Sequence, residues 1–201
     1  PSPMLRRDFT VAGSVRRATL YATARGLYVC QLNGKRVSDH QLAPEWTDYN
    51  ARIPYQAYDV TELVQAGDNA VGATLADGWY LGRMGPIRWS DDFPRRGVYG
   101  PHRRFLMRLD IEAEDGSIQS IYSDRSWKSS DDGPIRSADN FIGETIDARK
   151  RRPGWSTPGY DDAAWQPVVA EALDDTPLVA QMNEPIRVIA DVPAEAITEP
   201  K

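Results

Sequence analysis

At 201 residues the chain is long enough to bury a sizeable core, as one large domain or two small ones. A net charge of -5 and a pI near 5.1 exclude a general nucleic-acid or anionic-membrane partner, since either would need a basic surface. The single cysteine, Cys30, excludes an internal disulfide framework and a cysteine-based metal site, and no apolar run approaches the ~20 residues that span a bilayer.

In chain order, "PSPMLRRDFT" has arginines but no apolar stretch behind them, so no secretory leader is expected, which slightly favours a cytoplasmic home over the extracellular alternative. "RRATLYATARG" alternates around Ala18, Leu20 and Ala22, which predicts a half-buried strand. "LYVCQLNGKRVSDHQL" predicts a hairpin with Asn33-Gly34 at its tip, a dipeptide that supplies two positive-φ residues. Cys30 lies in that apolar pattern and reads as an inert buried thiol. A strand is expected from Pro54 to Val60, followed by a short turn capped by Asp59 or Thr61, and another from Ala70 to Leu75.

Further on, "HRRFLMRLDIEAEDGSIQSIYSD" reads as two strands joined through Asp115-Gly116, and "FIGETIDARK" as a short extended segment. Arg149, Lys150, Arg151 and Arg152 read as a solvated turn, because acidic residues surround them. Strand patterning recurs in "WQPVVAEAL" and in "EPIRVIADV". No window offers three clean helical turns, and 15 prolines and 15 glycines cut most helical candidates short. Seven to ten short strands at this spacing predict an all-β antiparallel sandwich or jelly roll. The expected organisation is one domain over 1–170 with a C-terminal extension over 171–201.

The chemistry is selective. The two histidines, His40 and His102, have no serine in an elbow-type glycine context, and two His with one Cys spell out no zinc site. No phosphate-cradling glycine pattern appears. A glycosidase needs two carboxylates ~5–9 Å apart. Glu144, Asp147 and Asp77 are acids, but a lone sandwich rarely shelters the dry cleft that raises an acid's pKa, so catalysis is assigned to none of them.

Binding asks for less. Aromatic faces accept the C–H side of a sugar ring, carboxylates and amides serve its hydroxyls, and Ca²⁺ can bridge the two. Asp77, Trp79, Tyr80, Asp139, Asn140, Glu144 and Asp147 have that chemistry. Each also has a plainer reading. Trp79 is either a ligand platform or a plug for the open end of the sandwich, and Asp77 before Gly78 is either a turn cap or a contact. Trp46 and Trp165 read as sandwich-edge packing. Trp89 sits on a charged loop that lies over the pocket or docks on a neighbour. Glu144 and Asp147 need solvent, a cation or an arginine such as Arg149.

Three blocks, "ATLYATARGLYVCQLNGKRV", "LAPEWTDYNARIPYQAYDVTELVQAGDNAVGATLADGWYLGR" and "GPIRSADNFIGETIDAR" with "PGWSTPGYDDAAW", resemble the N-terminal accessory domain of bacterial α-L-rhamnosidases of glycoside hydrolase family 78. The blocks stand in the family order and cover most of the chain. The resemblance implies a galactose-binding-like jelly roll without long helices, upstream of further β-domains and a catalytic (α/α)₆-barrel in the parent chain. It implies a supporting role with recognition of L-rhamnose or the glycan around it. In some relatives this module holds L-rhamnose through calcium, for which Asp139 and Asn140 are the candidate ligands here. The rival expectation is a structural module that buries a face against neighbouring domains and binds no sugar.

This chain departs from the family pattern at one place. Where relatives read Tyr-Asp-Gly-Glu and then Tyr-Asp-Ala-Arg, the chain has Phe141, Ile142 and Ile146 in place of the first Tyr, the Asp and the second Tyr. Losing a polar contact to a sugar costs ~1–3 kcal/mol. Two such losses would erase a millimolar affinity of about 4 kcal/mol.

Overall fold

A computed structural model describes residues 1–84, 96–196 and 198. Among the described residues, thirteen strands account for nearly all of the regular structure. They are β1 (Met4–Val11), β2 (Val15–Arg25), β3 (Leu27–Leu32), β4 (Lys35–Arg36), β5 (Ile53–Asp59), β6 (Gly67–Ala76), β7 (Arg104–Ala113), β8 (Ile118–Tyr122), β9 (Lys128–Ser130), β10 (Ile135–Asp139), β11 (Gly143–Ile146), β12 (Gln166–Pro167) and β13 (Leu178–Ala180). The one α-helix among the described residues, α1 (Gly78–Leu81), is a single turn, flanked in the sequence by the many glycines and prolines that interrupt helical patterns.

Two sheets face each other. The six-stranded sheet runs β12-β9-β1-β6-β3-β4, and the five-stranded sheet runs β13-β5-β2-β7-β8. Period-2 alternation decides what lies between them. Ala18, Leu20, Ala22 and Ala24 of β2 and Met107, Leu109 and Ile111 of β7 point inward from one sheet. Tyr28, Cys30 and Leu32 of β3 with Val71, Ala73 and Leu75 of β6 point inward from the other. Each fully buried large aliphatic side chain contributes roughly 1.5–3 kcal/mol, so this layer is the main source of stability. Burial pushes the Cys30 thiol up to about 12, as suits an inert core sulfur.

The strand expectations match over β2, β3, β5, β6, β7, β8 and β11. Asn33 and Gly34 have φ of 51° and 82° at the β3–β4 tip. Two expectations need correcting. The sandwich is not wholly antiparallel, because β13 runs parallel to β5, arriving after a long excursion rather than a tight turn. "EPIRVIADV" forms no strand within this chain. Among the described residues its backbone finds only a bond from the Gln41 N–H to the Ile186 carbonyl, and Val188, Ile189 and Val192 stay exposed.

The outer face of the six-stranded sheet carries a second cover, the segment 152–165. Arg6 of β1 points outward from the sandwich core yet is 1% exposed, because this segment roofs it. Its guanidinium pairs with Asp8 and Asp162 and donates to the carbonyls of Trp155 and Thr157. Gly72 lies opposite Arg6 in the β1–β6 register, and a Cβ there would overlap the Trp155 ring. Trp155 in turn stacks on Trp165 at 6.2 Å. Trp165 therefore packs as expected, whereas Trp46 is 55% exposed and packs no sandwich edge. Trp89 lies outside the described residues.

Candidate functional site

The chain leaves the core at the end of β6, and local geometry dictates how. Gly26 sits so close that a Cβ on it would lie 2.5 Å from the Ala76 carbonyl oxygen. Gly78 has φ +56°, and a Cβ there would meet the Leu27 side chain at 2.7 Å. Only glycines let β6 turn against the start of β3 at this point. The turn starts α1, with the Leu81 N–H donating to the Asp77 carbonyl and the Asp77 N–H to that of Ala138 at the end of β10. These contacts bring Asp77, Trp79, Tyr80 and Asp139 to one edge of the sandwich.

The partners of these groups determine their chemistry. The Asp77 carboxylate, 8% exposed, accepts from Arg96 at 2.7 Å through one oxygen and from Arg103 at 2.6 Å and 2.7 Å through the other. Both oxygens face guanidinium groups. Tyr80 is buried in an aromatic cluster, edge-on to Tyr49 at 5.3 Å and stacked on Tyr99 at 6.3 Å, with the Arg25 guanidinium 5.7 Å above its ring. Burial raises the Tyr49 phenol well above its ordinary pKa, with the neighbouring Tyr99 adding to the effect. Trp79 packs half-buried against the same cluster, so it plugs the edge and keeps part of its indole open.

Asp139 is engaged by backbone. One oxygen accepts from the N–H of Phe141 at 2.8 Å and of Ile142 at 3.3 Å, and the other from the N–H of Arg83 at 2.9 Å. The aspartate thus shapes the β10–β11 turn and ties it to the end of α1. Asn140 is exposed, with no side-chain partner among the described residues. Calcium takes six to eight oxygens. Asp139 already holds three N–H donors, and no group of three or more His, Cys, Asp or Glu gathers among the described residues. This pair alone does not fit the cation.

Glu144 and Asp147 belong to the hairpin arm. Glu144 lies opposite Ala138 on β11, all four residues of which are exposed. Asp147 caps the 3₁₀ turn Ala148–Lys150, accepting from the Arg149 N–H at 3.1 Å and from its guanidinium twice at 2.8 Å. The Arg149 side chain, more than any other group, holds the Asp147 carboxyl below the usual range. The basic run is a turn as expected, with Lys150 and Arg152 both paired to Asp132. Phe141, Ile142 and Ile146 are 59%, 62% and 59% exposed. The three departures from the family pattern therefore make an apolar surface on this arm and fill no core.

Sequence reasoning missed Arg96 and Arg103, which hold Asp77, and Tyr49 and Tyr99, which hold Tyr80. The arginines stand 19 and 26 residues beyond their carboxylate, where no helical or strand period relates them. The only sequence signal was the density of arginine and aromatic residues between Arg95 and Phe105.

Comparison with known proteins bears on the whole assembly. Residues 13–190 match the family described as the alpha-L-rhamnosidase N-terminal domain. The alpha-L-rhamnosidase of Streptomyces avermitilis is 45% identical over 205 residues, which cover 98% of this chain and 18% of that protein. Its crystal structure, complexed with L-rhamnose, superposes with a TM-score of 0.90 over 100% of this chain and 19% of that one. The native α-L-rhamnosidase of Aspergillus terreus superposes with a TM-score of 0.88 at 39% identity, over 94% of this chain and 21% of that one. The chain thus spans about one fifth of the length of these relatives. By sequence, by superposition and by the β-sandwich they share, it belongs to the alpha-L-rhamnosidase N-terminal domain family.

Proposed function

We propose that this chain is a non-catalytic module of an α-L-rhamnosidase, in which it supports the catalytic part and docks on neighbouring domains of the same parent chain. Residues 1–170 form the body of the module, β13 of the segment 171–201 joins its five-stranded sheet, and the residues after β13 lead toward a neighbouring domain. One observation carries this reading. Three of the four candidate acids are already engaged, Asp77 by two arginines, Asp139 by three backbone N–H groups and Asp147 by Arg149, and the fourth, Glu144, lies exposed on β11. A general base or nucleophile must be aimed at its substrate, and these three carboxylates are aimed at partners within the chain.

A second reading has its own support. Asn140 and Glu144 are exposed and Trp79 keeps an open edge, while a relative of 45% identity has been crystallised with L-rhamnose. L-rhamnose or a glycan that carries it would then rest on Trp79 with Asn140 and Glu144 as polar contacts. Titration calorimetry with L-rhamnose, with and without millimolar calcium and with D-glucose as control, separates the two. The supporting role predicts a flat trace to tens of millimolar. Saturable heat for L-rhamnose alone, lost in Asn140→Ala, would establish the second reading. Incubation with 4-nitrophenyl α-L-rhamnopyranoside should release no nitrophenol, and steady release would refute a non-catalytic role.

A further inference from the structure

Between β12 and β13 the chain leaves both sheets and forms an arch. The arch is pinned at its two ends, where the Val168 N–H donates to the Trp127 carbonyl at 3.2 Å and the Ile53 N–H to the Pro177 carbonyl at 2.9 Å. No backbone N–H of residues 169–175 bonds to backbone among the described residues. Side chains hold the middle instead. Asp174 pairs with Arg25 at 2.5 Å, Glu171 pairs with Arg104 at 2.6 Å, and Arg25 donates to the Thr176 hydroxyl at 3.2 Å. Under the arch lies a cavity of about 450 Å³.

We propose that this cavity is a binding site for a neutral, planar aromatic ligand carrying a hydroxyl, a simple phenol being its minimal form. The volume falls in the range of about 300–1,000 Å³ that small-molecule sites occupy. Its walls are apolar and aromatic. Phe105, half-buried, lies edge-to-face with Trp127 at 6.0 Å, and Leu5 and Leu75 line it from the other sheet. A flat ring can stack or tilt against Phe105 as Trp127 already does.

Charge and polarity narrow the ligand further. Every guanidinium on the lining has a carboxylate: Arg25 has Asp174, Arg104 has Glu171, and Arg103 has Asp77. The lining acid Asp124 is paired with Arg7. An ionic ligand would have to displace one of these partners, so the site suits a neutral one. Four neutral hydroxyls line the space, those of Thr23, Ser123, Ser129 and Thr176. The Ser123 hydroxyl accepts from the Met107 N–H at 3.0 Å, on the strand that also carries Phe105, and keeps its own proton to donate. A phenolic hydroxyl can accept that proton. A free pyranose would bring several hydroxyls into an apolar space without partners, which is costly.

The test is a titration of 4-fluorophenol followed by ¹⁹F NMR at pH 6.5, where a phenol of pKa about 10 is neutral. The proposal expects a shift that saturates in the millimolar range. Ala172→Phe, on the exposed arch but lining the cavity, should fill the space and weaken binding by about tenfold or more. Phe105→Leu should weaken it too, with thermal melting used to confirm that the variant is folded. Methyl α-L-rhamnopyranoside should not displace the probe. A linear, unsaturable response would overturn the proposal, as would equal binding in folded Ala172→Phe or displacement by the rhamnoside. None of these outcomes depends on whether L-rhamnose binds near Trp79.

Discussion

Asp77 shows how one carboxylate can be held by two arginines of its own chain. It lies 8% exposed between Arg96 and Arg103, themselves 52% and 18% exposed. Removing its charge leaves Arg103 facing a neutral amide in a mostly desolvated place. Asp77→Asn should therefore destabilise by about 2–3 kcal/mol, somewhat less than the ~3–5 kcal/mol for breaking a fully buried pair. Urea denaturation checks this, and an unchanged midpoint would return Asp77 to the ligand candidates. Arg6 is the stronger case, because it is 1% exposed and serves two carboxylates and two carbonyls. Arg6→Leu should cost ~3–5 kcal/mol. The leucine fills much of the volume, but the Trp155 and Thr157 carbonyls lose their donor. A loss below 1 kcal/mol would mean that the cover over this sheet relaxes and lets water in.

At the level of elements, alternation told which residues face the sandwich core but not which outer faces are roofed. Ala18, Leu20 and Ala22 were legible as one face of β2 because a period of two is all that face requires. Asn33-Gly34 was legible because only such residues take φ of 51° and 82° at low cost. For Arg6, nothing local says that 152–165 folds back over it. The purpose of Gly72 is visible only once Trp155 lies against it. Gly72→Ala should displace that ring and cost ~2–3 kcal/mol by overpacking. It should also reduce the near-ultraviolet circular dichroism of the stacked Trp155–Trp165 pair, and a wild-type spectrum would show that the ring has room to shift. The candidate site was legible as a set of residue types and not as a set of free groups, because hydrogen-bond partners are assigned by tertiary contacts. The β10–β11 arm makes the converse prediction. Phe141→Tyr, Ile142→Asp and Ile146→Tyr together restore polarity at sites already 59–62% exposed. Stability should stay within about 0.5 kcal/mol of wild type, while self-association at high concentration falls. A large loss of stability would mean that these side chains are packed.

For the whole molecule, its many paired aspartates should govern how stability responds to acid. Hydrogen bonding to Thr176 and pairing with Arg25 lower Asp174 to about 2, while the Lys150 and Arg149 side chains hold Asp132 and Asp147 below the usual range. At Asp162 burial works upward, but the bonds and charges of Lys128 and Arg6 outweigh it. Each of these groups titrates lower in the folded chain than in the unfolded one, where the value is about 3.9. The unfolded state then binds more protons as acid is added, so the stability they contribute is present above pH ~4 and is lost toward pH ~2. Protonation of the carboxylates also leaves 24 Lys and Arg and two His uncompensated, and self-repulsion deepens the loss. His40 adds a separate, gentler step. Burial first and Arg187 second depress its pKa, and its Nε2 faces the Arg187 guanidinium at 3.1 Å, with Asp39 and Glu45 working the other way. A histidine held neutral in the fold contributes stability above its ordinary pKa of about 6.5, and that contribution fades as pH falls below it. Melting temperature measured from pH 8 to pH 2 should therefore show a plateau, a small decline below pH ~6.5 and a steep fall below pH ~4. His40→Asn should remove the first decline and leave the second. Melting that rises between pH 4 and pH 3 would contradict the assignment of these aspartates as paired groups.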